Sequence, residues 1–194
     1  MKIAFVLFDG MTSMDFVGFY EAVTWIGILK VKDNVTWAFC ADKEEVTDDR
    51  GLTMKADKIL PNLGDFDLVF LPGGFATRTL RFDDAFMSWI RTAEPARYKV
   101  SVCTGALLWG AAGFLQDKKA TTNSAAYELL EPYCAEVIKA RVVRDGNIVT
   151  GGGVTSSIDL GIYMVEWLVN AETALLVQQK LEYPYYQASE RREF

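Results

Sequence analysis

An α/β three-layer sandwich on a mostly parallel sheet is the fold that this chain predicts, and three observations carry the prediction. Short apolar runs rich in β-branched and aromatic residues alternate with amphipathic segments along the 194 residues. The runs lack a polar residue at every other position, as do strands buried on both faces of a parallel sheet. No repeat, low-complexity tract or linker interrupts the alternation, and the length suits one domain, 1–194.

Taken in order, Lys2 to Phe8 (KIAFVLF) reads as the first strand, ended by Asp9-Gly10. Ser13 suits an N-cap for a helix over Met14 to Leu29, whose apolar residues recur at helical spacing. Thr36 to Ala41 (TWAFCA) is a second strand with Cys40 inside it. Val46 to Leu60 reads as a hairpin or extended excursion around Arg50-Gly51. Phe66 to Leu71 (FDLVFL) is a third buried strand, running directly into Pro72-Gly73-Gly74. Asp83 to Arg91 is amphipathic and helical. Val100 to Val102 is a strand, and Ala106 to Ala112 a helix. Lys118 to Thr122 reads as a short strand, with Asn123-Ser124 capping a helix over Ala125 to Glu131. Val137 to Val149 carries two strands joined at Asp145-Gly146, a strong hairpin signal. Gly151-Gly152-Gly153 leads into a helix from Ser156 to Val169, and Ala171 to Leu181 is a last helix. The aromatic tail, Glu182 to Phe194, is expected to be extended or partly disordered, free to cover a neighbouring subunit.

Composition excludes whole classes of function. A net charge of -6 offers no basic footprint for nucleic acid or for an anionic membrane surface. No apolar run is long enough to span a bilayer, and the first ten residues lack a signal-peptide cleavage pattern. Three scattered cysteines, Cys40, Cys103 and Cys134, make no disulfide framework and point to a reducing, cytoplasmic setting. The chain contains no histidine. That removes every Cys–His and Ser–His pair and every His metal ligand within the chain, so a general base must be a carboxylate, Lys, Tyr or water.

The stretch YKVSVCTGALLWGAAG, Tyr98 to Gly113, holds the candidate chemistry. A strand that breaks at Cys103-Thr104-Gly105 into a helix presents the turn side chain at the open carboxyl end of the sheet. It also aims the helix's free N–H groups at that side chain. A thiol there is biased toward thiolate by the helix N-terminus. Free cysteines are more often small buried hydrophobes, so the elbow alone decides little. The weight comes from convergence. In a parallel sheet the ligand crevice lies outside the strand carboxyl ends. Asp15, just past the first strand, suits either the helix dipole or a reactive partner. Gly73 and Gly74, past the third strand, expose backbone N–H groups at the same edge. The triple-glycine turn suits either a flexible joint or ligand contact.

These residues carry a resemblance. MDFVGFYEA, FLPGG, SVCTGALLWGAAGFL, ATTN, ELLEP, RVVRDGNIVTGGGVTSSIDL and LEYPYY, which together cover nearly the whole chain in order, are similar to motifs of the ThiJ/PfpI superfamily. Within it they resemble the isonitrile hydratases. The resemblance implies a flavodoxin-like fold, a cysteine nucleophile elbow and a homodimer acting on a small-molecule substrate. It implies Cys103 as nucleophile, Asp15 as its carboxylate partner and Thr104 beside them. Gly73, Gly74 and Asn123 are the oxyanion and substrate contacts in this reading. Two departures stand out: Phe19 occupies a position where the hydratase pattern has Pro, and Asn123-Ser124 replaces His-Trp.

The implied activity is the addition of water to an isonitrile, giving an N-substituted formamide through a Cys103 thioimidate and needing no metal or other cofactor. In that scheme Asp15 moves the protons and the N–H groups of Gly74 and Thr104 stabilise developing charge. The alternatives are a glyoxalase- or deglycase-like hydrolase of small aldehydes and a non-catalytic redox or ligand sensor. Peptidase and glutamine amidotransferase activities are disfavoured by the missing histidine.

Overall fold

Strand β1 (Lys2–Val6) forms the centre of the molecule, because its five residues carry almost no polar surface and four of them are buried. The computed structural model describes residues 1–194. After β1 come helices α1 (Ser13–Val23) and α2 (Trp25–Ile28), then β2 (Thr36–Ala41). Short strands β3 (Glu45–Thr47), β4 (Thr53–Lys55) and β5 (Lys58–Ile59) follow, and β6 (Leu68–Leu71) returns to the core. Helices α3 (Thr77–Leu80) and α4 (Asp84–Arg91) lead to β7 (Tyr98–Val102) and α5 (Gly105–Ala111). The remainder comprises β8 (Lys119–Ala120), α6 (Tyr127–Leu130), β9 (Glu136–Val137), the hairpin β10 (Val142–Asp145) and β11 (Ile148–Gly151), α7 (Ser156–Leu168), α8 (Ala171–Lys180) and β12 (Arg191–Glu193). No helix is long and apolar enough to cross a membrane.

The main sheet runs β12-β10-β11-β7-β6-β1-β2-β5. Every neighbouring pair is parallel except the β10–β11 hairpin. Its central order, β2-β1-β6-β7-β11, is the flavodoxin-like 2-1-3-4-5 arrangement. Helices α1, α7 and α8 pack together as one layer, and α3 to α6 pack around α5 as the other. The predicted sandwich is the observed one. The strand order reverses between β1 and β6, so the loops leaving these strands diverge and open a crevice at their carboxyl ends.

Aromatic packing locks β1 to that place. Phe5 contacts Phe16, Phe19, Tyr20, Phe39 and Phe70, with ring centroids between 5.4 and 6.1 Å apart. Phe19 is fully buried and stacks on Phe70 at 4.1 Å. The departure at position 19 is therefore absorbed by the core, away from solvent. Phe19→Ala is expected to cost about 3–5 kcal/mol of folding stability. A denaturant titration checks this; a midpoint unchanged from the parent chain would contradict the packing.

Several elements differ from the sequence reading. Thr12, not Ser13, takes the N-cap position of α1, because the Ser13 hydroxyl donates to Asp48 of the β3–β4 turn. The expected single helix to Leu29 breaks at Thr24, whose hydroxyl bonds back to the Tyr20 carbonyl at 2.7 Å. The strand expected over Lys118–Thr122 shrinks to Lys119–Ala120, paired only with β9. Thr121 and Thr122 leave the ladder because their groups bond elsewhere: the Thr121 N–H to Thr150 Oγ1 at 2.8 Å, the Thr122 hydroxyl to the Cys103 carbonyl at 2.7 Å. The expected helix over Ala125–Glu131 contracts to the single turn of α6, between 3₁₀ turns at Ser124–Ala126 and Glu131–Tyr133.

The largest correction concerns the tail. Rather than trailing free, it docks on the chain's own sheet, with β12 parallel to β10 and Val142 opposite Arg191. Charge holds it there. Arg191 pairs with Glu166 at 2.7 Å, Arg144 pairs with Glu193 at 2.7 Å, and the Tyr186 hydroxyl donates to Glu166 at 2.7 Å.

Candidate active site

The elbow forms where β7 ends. Cys103 adopts φ 54°, a left-handed conformation that a non-glycine residue holds only when its surroundings impose it. Here they do so from both sides. The Cys103 N–H donates to the carbonyls of Gly152 at 2.7 Å and Gly151 at 3.0 Å. Its own carbonyl accepts the Thr122 hydroxyl. The triple-glycine turn and the paired threonines thus fix the strained residue, a role that the sequence reading did not assign to either. The signal was present in two places: a glycine run directly after a strand, and adjacent threonines before a cap.

Close approach of backbones completes the crevice. A Cβ on Gly105 would lie 2.4 Å from the Leu71 carbonyl oxygen, so only glycine lets α5 start against the end of β6. A Cβ on Gly73 would meet the Thr104 nitrogen at 2.6 Å, the Cys103 Cβ at 2.7 Å and Asp15 Oδ2 at 2.8 Å. That one position therefore touches three of the residues that the sequence singled out. The structure brings Cys103, Asp15, Thr104, Gly73 and Gly74 together.

Asp15 is fully buried in the first turn of α1. Its Oδ2 accepts the Gly73 N–H at 2.9 Å, while Oδ1 is buried with no N–H or O–H partner in the chain. Burial pushes the carboxyl up to about 7, opposed by the Gly73 hydrogen bond and by the Cys103 side chain beside it. Cys103 is 6% exposed. Burial, and next the charge of Asp15, push its thiol up to about 12, against the N–H and hydroxyl of Thr104, which pull it down. Desolvation and the neighbouring carboxylate thus oppose the bias toward thiolate that the helix N-terminus gives. Both groups are shifted upward by the same burial, and each is the other's neighbour.

Two sequence expectations change in detail. The Thr104 hydroxyl is taken up by the β6 turn: it accepts the Gly74 N–H at 3.0 Å and donates to the Gly74 carbonyl at 3.0 Å. It thereby ties the β6 turn to the elbow. The same bond occupies the Gly74 N–H, which the sequence reading had left free for developing charge. Asn123 follows Thr122, whose hydroxyl donates to the Cys103 carbonyl. Its Oδ1 caps the Ala125 N–H at 3.0 Å, and its amide nitrogen faces Gly153. Five of the surface clefts, of 240–500 Å³, are lined by neither Cys103 nor Asp15.

Comparison with known proteins places the chain in a family. Residues 1–167 match the DJ-1/PfpI family. The chain is 39% identical to an isonitrile hydratase of Pseudomonas putida over 94% of its length and 78% of that protein. It is 33% identical to a DJ-1 homolog of Arabidopsis thaliana over 79% of its length, but this spans only 41% of that larger protein. Among solved structures, a ThiJ/PfpI family protein from Pseudomonas syringae superposes with a TM-score of 0.84 at 32% identity, covering 96% of this chain and 76% of that one. The chain belongs to the DJ-1/PfpI family.

Proposed function

We propose that this protein hydrates an isonitrile, R–N≡C, to the N-substituted formamide, with Cys103 as nucleophile and Asp15 as its acid–base partner. The observation that carries the reading is the fully buried Asp15 carboxyl beside the Cys103 thiol, its Oδ1 without an N–H or O–H partner, in a chain with no histidine. An orphan carboxyl oxygen in such a place has no structural use, since burying a polar atom without a partner is costly. Similarity to the Pseudomonas putida hydratase supports the choice of substrate class. So does access: an isonitrile ends in a single bare carbon on a linear group, slim enough to reach into a residue only 6% exposed.

The reaction is redox-neutral. The sulfur bonds to the terminal carbon while the thiol proton passes through Asp15 to that carbon, giving the thioimidate R–N=CH–S–Cys103. Asp15, again ionised, takes a proton from water as the water oxygen attacks the same carbon, and passes that proton to the imidate nitrogen, which leaves the carboxylate ionised once more. The tetrahedral adduct R–NH–CH(OH)–S–Cys103 then collapses: the C–S bond breaks, the hydroxyl proton returns to sulfur and R–NH–CHO leaves. A carboxyl pushed up to about 7 suits both directions of proton transfer near neutral pH. The Thr104 N–H, which faces the sulfur, steadies the charge that builds there.

A second reading rests on one specific observation. The chain is also 24% identical, over 77% of its length, to a protein named as a deglycase from Thermococcus kodakarensis. Incubating the protein with a panel of alkyl and aryl isonitriles and of small glyoxals, beside Cys103→Ala, separates the two. Formamide release lost in Cys103→Ala is the expected result. Turnover of glyoxals alone would replace the hydratase reading, and turnover that survives Cys103→Ala would remove both.

A further inference from the structure

The strained elbow does not stand on its own hydrogen bonds. The Gly152 carbonyl that holds the Cys103 N–H belongs to a residue that is itself held, because the Gly152 N–H donates to the Arg141 carbonyl at 3.0 Å. The Arg141 N–H in turn donates to the Glu190 carbonyl of the tail at 3.1 Å. A backbone relay of three bonds therefore joins the docked C-terminal tail to the nucleophile, with Arg141 in its middle.

The Arg141 side chain fixes that middle. Its Nε donates to Asp159 Oδ2 at 3.0 Å, and its Nη2 donates to the same oxygen and to Thr155 Oγ1 at 3.3 Å. Asp159 is almost fully buried in the first turn of α7, and its Oδ2 also accepts the tail hydroxyl of Tyr183 at 3.2 Å. Arg141 is thus the joint of three segments: the triple-glycine turn, the start of α7 and the tail. Glycine turns have no side chains to hold their shape, so the position of Gly152 depends on this joint.

We propose that Arg141 is a positioning residue for the nucleophile: clamped by Asp159 and Thr155 and braced by Tyr183, it sets the triple-glycine turn against which the strained backbone of Cys103 rests. Docking of the tail is thereby coupled to the placement of the sulfur beside Asp15. The inference deepens the reading of Cys103 as nucleophile, and only its turnover arm depends on isonitrile hydration.

The test combines two readouts on Arg141→Lys, Arg141→Gln, Tyr183→Phe and Thr155→Val. The first is site-resolved alkylation of Cys103 by iodoacetamide as a function of pH, read by mass spectrometry of its peptide on protein shown to be folded. The second is kcat and KM on the isonitrile that the parent chain turns over. Released from the turn, the sulfur moves off Asp15 and out of its apolar site. The expected result is an alkylation midpoint that shifts down toward the ordinary thiol near ~8.5. Alkylation at pH 7 becomes faster, while kcat falls about 10- to 100-fold with KM little changed. Arg141→Lys, which keeps the charge but not the fork, sits closer to Arg141→Gln than to the parent. Tyr183→Phe and Thr155→Val move the same way by less, and they decide the matter if the Arg141 variants do not fold. Folded variants whose alkylation profile and kcat superpose on the parent, whatever their melting temperatures, overturn the proposal. If the parent turns over no isonitrile, the alkylation profiles still decide it, and the hydratase reading is what has failed.

Discussion

Asp15→Asn is expected to lower turnover by about 10²–10⁴-fold, the range lost with a positioned acid–base group, and at the same time to make the protein more stable at alkaline pH. Both outcomes follow from one buried oxygen pair. Asparagine is isosteric and its carbonyl can still accept the Gly73 N–H, so the turn at β6 is preserved. What is lost is the group that, in the proposed mechanism, exchanges a proton with sulfur. Removing the neighbouring charge also lets the thiol titrate below its present value of about 12, though burial keeps it above an ordinary cysteine.

The stability effect has a definite sign. Folding raises the Asp15 carboxyl from 3.8 to about 7. Between those values the folded chain holds a proton that the unfolded chain has released, so stability falls as pH rises through the window. Below it both states are protonated, and above it neither is. The cost at pH 8 is on the order of 4 kcal/mol relative to a neutral side chain at this site. Asp15→Asn removes that slope. Urea titrations of both chains at pH 4.5 and pH 8 check it: the variant should be the more stable at pH 8, with the gap closing at pH 4.5. Parallel pH dependence in the two chains would mean that Asp15 is ionised in the folded state across the range.

Gly73→Ala is expected to damage the site directly, because the added methyl meets its reacting groups. The new methyl would stand within 2.6–2.8 Å of the Thr104 nitrogen, Cys103 Cβ and Asp15 Oδ2, all of which carry or position the reacting groups. Forcing these apart by a fraction of an ångström to one ångström should lower kcat by about 100-fold or more. Overpacking costs about 1–3 kcal/mol of stability, so the chain is expected to remain folded. Circular dichroism and steady-state kinetics on the same sample check the pair. Full activity would show that Asp15 and Cys103 need not be in contact during turnover.

Much of this was legible in the residues because it is local. Each of β1, β6 and β7 is a run of consecutive buried residues, and each ends at a turn that the sequence marks. Topology then brings Asp15, Gly73 and Cys103 to one sheet edge. The chemistry of the pair was half legible. The missing histidine pointed to a carboxylate, but the helix-terminus argument favoured a thiolate without counting the burial of Cys103, which opposes it. The tail was misread because its strand, Arg191–Glu193, is polar and short; its stability comes from ion pairs with Glu166 and Arg144, which lie 25 and 47 residues or more away in sequence. Likewise Arg141, Asp159 and Tyr183 carry no motif that marks them as neighbours. Their meeting depends on where the tail returns to the sheet. Thr104 was found by adjacency to the cysteine, but its bond to Gly74 could not be read without the approach of the β6 turn.

The central claim is that Cys103 forms a bond to the substrate carbon. Rapid acid quench during turnover of an isonitrile, followed by intact-mass and peptide mass spectrometry, tests it most directly. The expected result is a chain heavier by one substrate mass, located on the peptide that carries Cys103 and absent from Cys103→Ala. Sustained formamide production with Cys103 unmodified at every quench time, in a chain where Asp15→Asn accumulates no adduct either, would contradict it.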